Sequence, residues 1–104
     1  MKQDLQLKSR IREILKIIQQ LSPGNSVELR IPPYAAIQCV LGSVHRRGTP
    51  PNVVEMSGNT LIELANDPTS WDEFCGKGLV SASGTNANLK DLFMKLSKLE
   101  ASSN

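Results

Sequence analysis

The sequence predicts an α+β domain, and three observations carry that expectation. A helical stretch with a one-sided apolar stripe stands at each end of the chain. Between them lie short segments of strand length, alternating apolar and polar or continuously apolar. Two short helices are announced by Ser or Thr three residues before Glu. The 104 residues suit one domain over 1–104: helix and turn over 1–25, sheet and helices over 26–99, and a tail over 100–104. A chain this small buries a modest share of its surface, so a ligand cavity should be small or shared with a partner subunit.

The first helix is expected over residues 4–21, where Leu7, Ile11, Ile14, Leu15, Ile18 and Leu21 recur at steps of three and four. Ser22-Pro23-Gly24-Asn25 then stops it. Lys8, Arg10, Arg12 and Lys16 occupy the other face, so the helix reads either as lying on an anionic membrane or as docked on a core. Docking is favoured, because the stripe has no aromatic residue and the chain needs that face for its core.

Val27, Leu29 and Ile31 alternate with Glu28 and Arg30, the pattern of a strand with one wet face. After Pro32-Pro33, residues 34–41 are apolar on both faces except at Gln38, which predicts a central strand covered on both sides. Gln38 then faces a cavity or, alternatively, lies on an exposed face. Glycine and proline punctuate residues 42–51 as a loop, and Val53, Val54 and Met56 form a further strand. Thr60 with Glu63 and Ser70 with Glu73 predict capped helices over 61–66 and 71–75, separated by Asp67-Pro68 and closed by Gly76 and Gly78. A strand over 79–83 meets Gly84, and Leu89, Leu92, Phe93, Leu96 and Leu99 place one stripe on the closing helix, with Met94 off its centre.

The net charge of +2, with 39% apolar and 21% charged residues, disfavours disorder and polyanion-binding tails. With four aromatic residues and no basic stripe interleaved among them, no nucleic-acid partner is expected. Residues 1–52 carry eight Lys/Arg against three Asp/Glu and residues 53–104 four against seven, a split that suits an anionic partner, head-to-tail self-association or merely a solvated surface. Cys39 and Cys75 lack CxxC spacing and read as small, buried, reduced thiols. The start of the chain is no secretory signal and no apolar run approaches a membrane span, so the expected place is cytoplasmic, without stable membrane insertion.

The chemistry for catalysis is thin. His45 is the single histidine, so neither a metal site nor a Cys-His pair has its residues at suitable spacing, and the glycine clusters match no phosphate or dinucleotide fingerprint. No catalytic residue, metal or cofactor is assigned, and no enzyme is expected. His45, Arg46 and Arg47 form the strongest polar cluster. As a site they would contact a headgroup or another anion through paired guanidinium donors. As a brace, Arg47 would pair with Glu55 or another carboxylate.

Three runs are recognisable: residues 30–40 (RIPPYAAIQCV), His45 with RGTPPNVVE over 47–55, and VSASGT over 80–85. They resemble the bacterial sterol-carrier-protein orthologues, a family of small actinobacterial proteins, over about residues 27–96. The resemblance implies the sterol carrier protein type 2 fold: a mostly antiparallel sheet of four to five strands, covered by helices, with an apolar tunnel between them. Where larger domains of this kind have another strand, this chain has its His-Arg-Arg and Pro-Pro loop between Gly42 and Asn52. The resemblance makes Ile37, Cys39, Leu89, Leu92, Phe93 and Leu96 the candidate ligand-binding residues, with a fatty acyl chain or similar apolar molecule as cargo. The other reading is a packed interaction module or homodimer without a ligand.

Overall fold

The computed structural model describes residues 2–42 and 50–102. Helix α1 spans Lys2–Leu21, followed by strands β1 (Val27–Ile31), β2 (Ala35–Cys39) and β3 (Asn52–Met56). Helix α2 (Gly58–Asn66), a 3-10 turn (Pro68–Ser70) and α3 (Trp71–Gly76) lead to β4 (Val80–Ser83) and the closing helix α4 (Lys90–Ser102).

The stripe on α1 is docked: Ile11, Ile14, Leu15 and Ile18 are buried, while Arg12 and Lys16 are exposed. Each such burial contributes about 1.5–3 kcal/mol, which explains why this face turns to the core and not to a membrane. Among the described residues no helix is long and apolar enough to cross a membrane.

The four strands stand in the order β2-β1-β3-β4. β1 pairs antiparallel with β2 and parallel with β3, and β3 pairs antiparallel with β4, so the sheet is mixed with two of its three pairings antiparallel. Strand parity divides it cleanly. Val27, Leu29, Ile31, Cys39, Val54, Met56 and Val80 join the helices in one core. Arg30, Ala36, Gln38, Glu55, Ser81 and Ser83 lie on the opposite parity and are exposed, so among the described residues no helix covers the second face of the sheet.

That arrangement corrects one expectation. β2 is an edge strand with Ala36 and Gln38 in water, and the central strands are β1 and β3. Alanine is small enough to sit on a wet face at little cost, so a continuous apolar run did not mean two covered faces. Of the two readings of Gln38, the exposed one holds.

The capping expectations also shift. Ser57, not Thr60, caps α2: its side chain accepts the Thr60 N–H at 3.1 Å, and the helix starts three residues early at Gly58. Ser70 makes no capping bond. Asp67 accepts the Thr69 N–H at 3.2 Å and opens the 3-10 turn, while Glu73 pairs with Lys77 at 2.7 Å one turn further on. Thr60 lies one turn inside the start of α2, whereas Ser70 does stand at the N-cap position of α3, which begins at Trp71 as expected, but without the side-chain bond of a cap.

On α4, Leu92, Phe93 and Leu96 are buried, as is Leu89 just before it. Phe93 packs on Trp71 with ring centroids 6.0 Å apart. Leu99, expected on the same stripe, is 46% exposed, because the helix outruns the core beneath it. Both cysteines are free. Cys39 is buried as expected, whereas Cys75 is only half-buried.

Candidate functional site

A groove of about 440 Å³, open to solvent, lies where four pieces of chain converge. Ser22 comes from the end of α1, Val40 and Leu41 from the exit of β2, Thr85, Asn86 and Asn88 from the loop after β4, and Leu89, Leu92 and Lys95 from α4 and its approach. The wall is amphipathic, with four aliphatic side chains on one part and hydroxyl, amide and ammonium groups on the rest.

Local chemistry fixes each wall. Val40 N–H donates to the Ser22 carbonyl at 2.8 Å, and the Val40 carbonyl accepts from Ser26 N–H at 3.0 Å, so the ends of α1 and β2 are joined. Gly24 permits this approach, since a Cβ there would collide with the Val40 carbonyl. Val40 itself has φ of 69°, a left-handed conformation that costs a β-branched residue about 1–2 kcal/mol. The bend ends β2 and is followed at once by Leu41, whose side chain is 79% exposed at the groove.

The opposite wall hangs on Asn52. This buried side chain donates through Nδ2 to the Ser26 carbonyl at 2.9 Å and to Ser26 Oγ at 3.2 Å, and its Oδ1 accepts the Asn86 N–H at 2.9 Å. Both polar atoms of the Asn52 side chain are thereby paired, joining three separate segments, which offsets the penalty of burying them. Asn88 Oδ1 accepts the Lys90 N–H at 3.0 Å and starts α4, so the polar loop and the helix share a rigid junction.

Of the candidate ligand-binding residues, Leu89 and Leu92 line this groove. Cys39, Phe93 and Leu96 are fully buried in the core. Ile37 falls elsewhere, on a second groove of about 480 Å³ with Gln19, Pro23, Gly24, Asn25, Ala36 and Gln38. His45, Arg46 and Arg47 lie outside the described residues, and so does the proposed Arg47–Glu55 brace. Among the described residues no three His, Cys, Asp or Glu side chains gather as a metal site. Burial pushes the Cys39 thiol up to about 11, and burial together with the Asp72 carboxylate raises that of Cys75.

Val40, Leu41, Asn86, Asn88 and Lys95 were missed as site residues in the sequence. Asn52 was legible in principle: it shares the parity of Val54 and Met56, so alternation alone turns its amide inward.

Among the described residues, a mixed sheet with helices on one face and a groove lined from α1, the exit of β2, the loop after β4 and α4 define a small α+β domain. The chain belongs to the bacterial SCP ortholog family, whose model matches residues 3–94. No curated protein matches it.

Proposed function

We propose that this chain is a noncatalytic binding or carrier domain for a lipid-like apolar ligand, of fatty acyl or similar chemistry, seated in the groove beside α4. The observation that carries the reading is Leu41, an aliphatic side chain left 79% exposed at the groove beside Leu89 and Leu92. Covering such side chains with an acyl chain is favourable: burial of six methylenes contributes about 5 kcal/mol before the costs of association. Lys95 and the amides of Asn86 and Asn88 offer donors to a polar head. The lining named above contains no imidazole, carboxylate or thiol, which suits holding a molecule and not transforming it. Family membership supports the same reading.

The test is displacement of a fluorescent fatty acid, combined with native mass spectrometry of the freshly purified protein. Binding by the wild type, weakened at least tenfold in Leu41→Asp with its melting temperature kept, is the expected result. Leu41 is exposed, so its substitution separates lost binding from lost folding. A clean unliganded mass with no fatty acid uptake would sink the proposal.

A further inference from the structure

We infer that the outer edge of β4 is a self-association site, at which a second copy of this chain adds its own β4 antiparallel across a two-fold axis to make one eight-stranded sheet. β4 is paired on one side to β3, and among the described residues no other strand pairs with its outer side. Ser81, Ala82 and Ser83 are all exposed. Ala82 shares the parity of the buried Val80 yet stays in water, so the helical layer stops short of this edge.

The two edges of the sheet are treated differently. At β2, α1 packs alongside, the Gln19 side chain donates to the Gln38 carbonyl at 3.4 Å, and two prolines precede the strand. These are devices that blunt an edge against another strand. β4 also has a helix packed on it, α3, but among the described residues no side chain bonds to its strand backbone and no proline leads into it. Its Val-Ser-Ala-Ser sequence holds no charge and no proline, and small side chains leave its backbone donors and acceptors open to approach.

The occupant follows from symmetry. A two-fold axis opposes each strand to itself, so a charged edge would meet its own charge, whereas an uncharged one is its own complement. An axis normal to the sheet keeps both faces continuous, and opposed residues then share parity. Of the registers that satisfy this, those with Ser81 opposite Ser81 or Ala82 opposite Ala82 pair most of the strand. In the first, Lys77 meets the second copy's Thr85, so no like charges are opposed, and Leu79, 46% exposed, gains cover beside the second copy's Ser83. Edges of four residues make a small interface, so the dimer is weak and concentration-dependent.

Sedimentation velocity of the whole chain from low micromolar to millimolar concentration tests the inference. The wild type should move toward twice its monomer mass. The double variant Ser81→Lys/Ser83→Lys opposes ammonium groups in either register and should raise the dissociation constant at least tenfold. Ala36→Lys/Gln38→Lys places the same charges on the β2 edge and should dimerise as the wild type does. A wild type that stays monomeric throughout, or two double variants that behave alike, overturns the inference. Amide hydrogen exchange of the wild type gives a readout independent of any variant's folding: amides of residues 80–83 should slow as concentration rises, and unchanged exchange in a forming dimer places the contact elsewhere.

Discussion

Asn52 Oδ1 accepts the backbone N–H of Asn86 at 2.9 Å, which fastens the start of β3 to the loop forming the polar wall of the groove. Because the same side chain also holds Ser26, one buried amide sets the distance between three segments remote in sequence.

Replacing Asn52 by Ala should therefore cost about 2–4 kcal/mol, since it strands the buried Ser26 carbonyl and hydroxyl and releases the Asn86 loop. Urea unfolding should show a lower midpoint with an unchanged slope. Asn52→Asp should be no milder, because a carboxylate has no donor for the Ser26 carbonyl. Wild-type stability in either variant would show that the junction is ornamental.

Gly84 and Gly76 form a matched pair of probes. Gly84 has φ of 110°, and a Cβ there would run into the Asn52 side chain, so Gly84→Ala should lose about 2 kcal/mol or more. A Cβ on Gly76 meets nothing within 4 Å, and Gly76→Ala should be neutral or stabilising by up to about 1 kcal/mol. Thermal unfolding of both variants tests whether the loop is held by close approach or merely passes nearby.

Val40→Asn should raise stability by up to about 1 kcal/mol, because Asn tolerates the left-handed region and keeps both backbone hydrogen bonds. The gain is limited by the partial burial the valine gives up. A marked loss would mean that the aliphatic side chain, not the backbone bend, secures this corner.

The two thiols should be distinguishable. Cys39 is fully buried and its thiol is pushed up to about 11, whereas Cys75 is half-buried and less shifted, so a thiol reagent at pH 8 should label one site quickly in the native protein and both in denaturant. The folded state holds the Cys39 proton more tightly than the unfolded state, whose thiol releases it near 9.0. This contribution is thus fully present below pH 9.0 and declines as pH rises through about 11. Equal labelling of the two sites in the native state contradicts the placement of Cys39.

The helices were legible where amphipathic period and stop signals agreed. The stripe Ile11, Ile14, Leu15 and Ile18 and the stripe Leu92, Phe93 and Leu96 are buried as their spacing predicts. Alternation in β1 likewise predicted one wet face. The α2 cap was displaced because a Ser or Thr before a Glu is common inside a first turn, and only backbone geometry tells Ser57 from Thr60 as the residue that accepts a free N–H.

By itself the sequence determined the kinds of elements, their order, the core-facing stripes and the family. Those features depend on local periodicity and on residues close along the chain. Only the tertiary structure decided that β2 is an edge, that Asn52 bonds to Ser26 and Asn86, and that Leu41 and Lys95 share a groove with Leu89 and Leu92. Strand order and groove walls arise from pairings between residues tens of positions apart, and no local pattern encodes which distant partner satisfies a backbone group or covers a side chain.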